Sequence, residues 1–260
     1  TSVWQDMENG YWFSSLAHGV FYSPNINILH YDSESYLPNN RVSTVFANRS
    51  GVYLGYETGV VSRLYKNRIT NYTIGGERSS RISIRYLGID STSSETWIGS
   101  TFYLYHLLND KIVTYRGSTK PTGIYPRDVV RDNNNNFWVA TAQGLKLFNG
   151  EKIVYDSFLS NDFSTTINSV YQDSSGCLWL GCVNGLWIFK DEVYTNLGQQ
   201  DPIFAKQINS IKGIEDGIML LATNGLGLIA LKGNEVNRIT MEHGLPSNHI
   251  KKIFIDQSGI

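Results

Sequence analysis

The sequence predicts an all-β chain, a β-propeller of four-stranded blades. Three observations carry this. A phrase recurs: "FWVATAQGLKLFNG" (Phe137–Gly150) and "LWLGCVNGLWIFKD" (Leu178–Asp191) share a Trp in an apolar run, a small residue, a polar stretch, Gly-Leu and a second apolar run. The two copies lie 41 residues apart, a period that belongs to stacked or radial repeats. Each unit holds short runs rich in β-branched and aromatic residues, too short for helices and separated by turn signals. Four antiparallel strands in a repeat of about 40–45 residues mark a propeller blade. A helical solenoid is excluded, because no stretch keeps a 3.6 period long enough.

Taken in order, the units are anchored at Trp12, Tyr53, Trp97, Trp138, Trp179 and Leu220, spaced 41 residues apart except for one gap of 44. Two positions after each anchor stands a small residue: Ser14, Gly55, Gly99, Ala140, Gly181 and Ala222. Such a column marks the close approach of a backbone or a bulky ring. Turn signals precede most anchors: "DMENG" from Asp6, "NRSG" from Asn48, "DNNNN" from Asp132 and "DSSG" from Asp173. Gly59, Gly144, Gly185 and Gly225 supply turns after several of them. The unit around Trp179 reads as four strands, Ile167–Asp173, Cys177–Cys182, Leu186–Asp191 and Glu192–Leu197. The links between the first runs are hairpin-sized. A last run, Ile253–Ile260, starts a seventh copy. The expectation is six blades plus the start of a seventh, as part of a seven-bladed ring. Residues 1–260 then form one propeller domain or a truncated part of one.

Composition bounds the function. The 22 Lys+Arg against 23 Asp+Glu give a net charge of −1, which lacks the basic footprint of a nucleic-acid binder. No apolar run approaches the ~18 residues of a membrane span. "TSVWQD" at Thr1 reads as a strand already under way, so the chain is expected to be cut at both ends. Missing targeting or membrane segments then say nothing of the parent protein.

The titratable and metal-ligating residues are sparse. Cys177 and Cys182 sit five apart on one extended run, roughly 16 Å at ~3.3 Å per residue, too far to pair with each other. They read as small core residues, with a redox or metal role as the alternative. Cys182 shares its column with Ser15, Ser100, Thr141 and Thr223. The His residues, His18, His30, His106, His243 and His249, show no metal spacing, and no metalloprotease, nucleophile-elbow or phosphate-loop motif occurs. "DNNNN" resembles the start of a calcium loop. It fills the slot of "DSSG", so a plain turn is the first reading and an ion site the second. Asp6, Asp90, Asp132, Asp173 and Asp256 recur at one repeat position, as turn formers that bond their own backbone do. The Trp column reads as core packing. No cofactor or metal is expected.

The stretch Asp173–Leu186 fits "D-x-x-G-x-L-W-hydrophobic-G-x-x-x-G-L". With "HGLPSNHIKKIFIDQSG" (His243–Gly259) it resembles the two-component regulator propeller repeat. The resemblance spans essentially the whole chain and weakens at Tyr53, in the Trp97 unit, where "TFYLYHLLND" lacks the Gly-Leu, and at Leu220. It implies a periplasmic, non-enzymatic sensor region of a hybrid two-component histidine kinase, of the kind found in gut Bacteroidetes. It also implies a glycan-derived signal relayed across the membrane. The partners it implies are an oligosaccharide or other small-molecule signal, an adjacent propeller or β-sandwich domain of the parent chain, and a second copy of the chain in a homodimer. Two other readings stay open: a propeller-fold lyase or hydrolase, with His18 and His249 as loose candidates, and a purely structural propeller.

A ligand site is expected where inner strands begin, together with the loops between second and third strands. Aligning the repeats puts Ser43, Arg85, Arg127, Asn168, Asn209 and Lys251 near those starts. A column of polar strand ends is the plainer account. The functional one is a rim that hydrogen-bonds a sugar or pairs with a carboxylate or sulfate. Tyr125, two residues before Arg127, and Tyr56, which follows a second strand in a loop expected to reach the same side, are expected to offer rings for a sugar face.

Overall fold

A computed structural model describes residues 2–15, 19–25, 30–34, 36–66, 68–74, 82–88, 95–101, 103–115, 124–158, 163–214 and 217–255. It divides into two compact units, Thr1–Asn40 and Arg41–Ile260. The described residues form strands and three 3-10 helices, at Leu197–Gln199, Pro202–Phe204 and Met241–His243. None of these is long and apolar enough to cross a membrane.

The first unit holds one antiparallel sheet of three described strands, β1 (Val3–Gln5), β2 (Tyr11–Ser15) and β3 (Gly19–Ser23). Across it run two rows of large apolar side chains, Val3–Phe13–Phe21 and Trp4–Trp12–Tyr22. The fourth strand expected for this blade is not among the described residues.

The second unit holds five four-stranded antiparallel sheets, one for each remaining anchor. They are β4–β7 (Val42–Asn48, Gly51–Tyr56, Val60–Tyr65, Arg68–Thr73), β8–β11 (Ile84–Gly88, Thr96–Ser100, Leu104–Leu108, Lys111–Tyr115) and β12–β15 (Pro126–Arg131, Phe137–Thr141, Gly144–Phe148, Ile153–Asp156). The last two are β16–β19 (Ile167–Gln172, Leu178–Cys182, Gly185–Lys190, Val193–Asn196) and β20–β23 (Ile208–Gly213, Met219–Thr223, Leu228–Lys232, Glu235–Ile239). Strand order within each sheet is sequential, a meander of hairpins. The first strands of consecutive sheets, β4, β8, β12, β16 and β20, pack side by side, so they are the innermost strands of successive blades. The runs read around Trp179 match β16–β19 to within two residues at each end, the usual uncertainty of strand ends.

The core is a series of seams between blades. One seam joins Tyr53, Val61 and Ile74 to Ile84, Ile98 and Tyr105. The next joins Tyr86, Trp97 and Leu104 to Val129, Phe137 and Phe148. Two more repeat the arrangement along the chain, from Ala140 and Leu145 to Leu180 and from Leu186 to Ile211 and Leu221. A four-stranded meander buried on both faces needs apolar side chains on both, which is why the second strands lack alternation.

The small column now has a physical reason. A Cβ added at Gly55 would lie 2.6 Å from Ile84 Cγ2, at Gly99 2.5 Å from Pro126 Cγ, and at Gly181 2.9 Å from Ile208 Cγ2. In each case the close neighbour is the first residue of the next inner strand.

The reading of the Trp column as core packing needs one correction. Trp138 and Trp179 are half-buried rather than fully buried. Trp138 packs edge-on against Phe189 of the next blade, at 5.6 Å, and Tyr155 of its own, at 6.1 Å. Trp179 donates its indole N–H to Asp173 Oδ2 at 2.8 Å. The seventh copy shows no strand over residues 251–255, and the remainder of that run lies outside the described residues. The segment leading to it still docks as earlier inner strands do, with Gly225 N and Gly227 N donating to Asn248 O and Ile250 N to Thr223 O.

Candidate functional site

All five inner strands carry the same irregularity. Pairing with the second strand skips one residue, at Ser43 between Val42 and Thr44 and at Arg85 between Ile84 and Tyr86. It skips Arg127, Asn168 and Asn209 in the next three blades. A bulge leaves its extra residue out of the ladder and re-aims the side chain. The polar column read from the sequence is therefore a column of bulge residues.

In three blades the bulge side chain staples its blade to the next one. Ser43 Oγ donates to Ile84 O at 2.7 Å, Asn168 Nδ2 to Ile208 O at 3.0 Å, and Asn209 Nδ2 to Ile250 O at 2.8 Å. The accepting carbonyls of Ile84 and Ile208 belong to the residues just before the next bulge, and that of Ile250 to the residue just before Lys251. Asn168 and Asn209 are half-buried, with their amide oxygens also engaged, by Arg127 Nη1 at 3.2 Å and Gln207 Nε2 at 2.7 Å. Lys251 is exposed beside Ile250.

The two arginines depart from this pattern. Both are exposed. Arg127 spends one N–H on Asn168, and a guanidinium has five to give. Arg85 has no polar partner among the described residues. Both line an open cleft of about 420 Å³ with Tyr125, Pro126 and Ala142. Ala142 sits in the hairpin loop between β13 and β14, and its carbonyl accepts from Thr166 Oγ1 at 2.9 Å. Loops of this kind also bond the segment that enters their own blade, as Val183 N does to Thr166 O and Asn224 N to Gln207 O. Entry residues and second-to-third-strand loops thus share one side, as the repeat alignment requires.

Tyr125 holds a left-handed backbone, φ +46°, and donates its N–H to Thr101 O at 3.3 Å. That conformation is a genuine outlier for a bulky residue, and such strain persists where the surroundings over-determine it. The next residue, Pro126, is buried against Gly99.

Tyr56 does not reach this cleft. It ends β5 opposite Val42 and is 0% exposed, and burial raises its phenol above the ordinary value. Its ring is a core ring and cannot offer a face to a ligand. Sequence reasoning missed Pro126 and Ala142. Their signal was available in the same alignment, as the residue before each bulge and the loop after each second strand.

The remaining polar groups have structural employment. Asp6, Asp132 and Asp173 each accept backbone N–H bonds from the residues two and four positions on. This is the turn geometry read from the sequence, "DNNNN" included. Asp90 and Asp256 lie outside the described residues, as does His18. His249 Nδ1 lies 2.7 Å from Asn224 Oδ1. Asp128, at the back of a second hollow of about 270 Å³, accepts from Ser169 Oγ at 2.6 Å and Val170 N at 3.2 Å. Both cysteines are free and buried, and burial raises both thiols, so neither is a ready nucleophile. Among the described residues no group of three or more His, Cys, Asp or Glu could hold a metal.

The family model "Two component regulator propeller" matches residues 161–184. A comparison with curated protein sequences gives no match. The chain is similar to the extracellular domain of a hybrid two-component system from B. thetaiotaomicron, at 20% identity and a TM-score of 0.66, covering 99% of this chain and 36% of that one. A second such domain from the same organism gives 19% and 0.61, covering 99% and 43%. A catalytically inactive virginiamycin B lyase from Staphylococcus aureus, solved with quinupristin, gives 14% and 0.62, covering 96% and 87%. The chain thus spans well under half the length of the two Bacteroides structures. Identities this low establish the fold and nothing finer. They show that the chain is a β-propeller, and the family model shows a two-component regulator propeller repeat within it at 161–184.

Proposed function

We propose that the chain is the extracytoplasmic, ligand-sensing part of a bacterial two-component signalling protein. It reads a glycan-derived small molecule in the periplasm and passes the signal to a histidine kinase. The observation that carries this is the regulator-propeller repeat at 161–184, on a fold shared with extracellular domains of hybrid two-component systems. A rim with exposed arginines suits the binding of a small polar molecule. The test is the reading frame that encodes the chain. A membrane-spanning helix followed by a kinase is the expected continuation. A frame without either, or turnover of a glycan by the purified chain, contradicts the proposal.

A further inference from the structure

We propose that the cleft at Arg85, Tyr125 and Arg127 binds an oxyanion, a carboxylate or sulfate, carried on a sugar-type ring. The proposal rests on the sensor reading for the source of its ligand, and on the geometry alone for the chemistry. At the bulge position, Ser43, Asn168 and Asn209 are short and use their polar atoms to hold the next blade. Two successive blades replace them with Arg, a longer side chain that ends in the cleft. At these two neighbouring positions the fold therefore gives up the bond to the next blade's backbone, Arg127 reaching the Asn168 side chain instead, and presents guanidinium groups there.

Among the described residues, nothing in the cleft neutralises those charges. Its lining is Arg85, Tyr125, Pro126, Arg127 and Ala142, with no carboxylate among the described residues. An exposed guanidinium without a counter-ion matches a carboxylate or sulfate in a planar, two-pronged geometry that a neutral hydroxyl cannot copy. Arg127 is oriented by its bond to Asn168 Oδ1, so less freedom is lost when it takes a ligand.

The ring part of the ligand follows from Tyr125. The strained backbone, φ +46°, places this side chain at the cleft beside a buried Pro126. Gly would hold that conformation without strain. Keeping Tyr there fits a use for its ring as an apolar wall, against which the C–H face of a sugar packs. Arginine then fixes the anion, and the ring selects an anion attached to a flat apolar face.

The experiment is a calorimetric titration of the purified chain with four probes: glucuronate, glucose 6-sulfate, inorganic sulfate and glucose. Glucuronate and glucose 6-sulfate are expected to bind, inorganic sulfate more weakly, and glucose not measurably. Arg85→Ala and Arg127→Ala should each weaken the two sugar anions by roughly ten-fold or more, the size of a charge-assisted hydrogen bond. Both side chains are exposed, so folding survives their loss, and equal melting temperatures verify this. Tyr125→Gly keeps the positive φ and should lower affinity for the sugar anions while leaving inorganic sulfate unchanged. A stronger response to glucuronate than to glucose 6-sulfate assigns the anion as a carboxylate, and the reverse assigns a sulfate. Equal binding of glucose, no binding of any anion, or full affinity in the double arginine variant overturns the site. Those outcomes leave the sensor reading standing, because it is decided by the reading frame.

Discussion

At the residue scale, one carboxylate explains both a turn and an anchor. Asp173 accepts from the N–H groups of Ser175 and Cys177, from Ser175 Oγ at 2.7 Å and from the Trp179 indole at 2.8 Å. Burial alone would raise its pKa, but the Trp179 bond and the other three outweigh it and hold the carboxyl below its ordinary 3.8. A depressed carboxylate contributes stability that is fully present above the ordinary value and is lost as pH falls through the depressed one. Thermal melts of wild type should therefore fall faster below pH 3.8 than those of Asp173→Asn, whose side chain does not titrate. Parallel curves would show that the carboxylate carries no such role. The same bond joins Asp6 to Trp12, at 2.9 Å, so in these two blades the Asp and the Trp are two ends of one device, whereas Asp132 Oδ2 accepts from Asn136 Nδ2. The sequence displayed both columns. It did not display their pairing, because a six-residue separation becomes a contact only once the hairpin turns.

Cys182 gives a second residue-level prediction. At its equivalent positions, Thr141 Oγ1 donates to Gly144 O at 2.8 Å, Thr223 Oγ1 to Gly227 O at 2.7 Å and Ser100 Oγ to Tyr103 O at 3.1 Å. Each hydroxyl ties off the loop that follows the second strand. Cys182 instead places its Sγ 3.6 Å from Leu180 O. Cys182→Thr should restore the tie to Gly185 and leave stability unchanged or raise it by about 1 kcal/mol, read from denaturant midpoints. A loss of more than about 2 kcal/mol would mean that the site is shaped for sulfur.

At the element scale, strand existence and order were legible because every blade is a meander of short apolar runs. The bulges were not. A bulge is one extra residue with no composition of its own, and it shows only when registers are compared, as between Ile167 and Ser169 opposite Cys182 and Gly181. Aligning repeats by length placed the bulge column correctly without revealing what it was. Tyr56 failed for a related reason: an aromatic at a strand end reads alike whether it points to the rim or into a seam. The small column sets the spacing between blades, and its tightness is testable. Gly181→Ala would bring a Cβ to 2.9 Å from Ile208 Cγ2 and 3.4 Å from Ile208 O. It should cost about 1–3 kcal/mol, the usual cost of overpacking. Ala140 and Ala222 already occupy the same slot in other blades, so the fold should survive. A neutral result would show that the inner strands shift freely.

At the scale of the whole molecule, stability and the proposed recognition draw on the same position. The repeats from Arg41 onward are held by seams of apolar side chains and by staples from one bulge to the next blade. A repeating fold has many equivalent seams, so individual staples can be given up without unfolding the rest. Arg85 and Arg127 stand where two of them are given up. Because the cleft is open, its charge interactions are screened, and affinity for anionic sugars should fall as ionic strength rises. Signalling in the receptor kinase proposed as the parent protein tests the account most directly. Kinase autophosphorylation is measured in membrane vesicles with and without glucuronate or glucose 6-sulfate, for wild type and for the Arg85→Ala, Arg127→Ala double variant at equal receptor abundance. The account predicts that at least one of these sugars changes phosphorylation in the wild type and leaves the double variant at its basal level. An equal response in both receptors would contradict it.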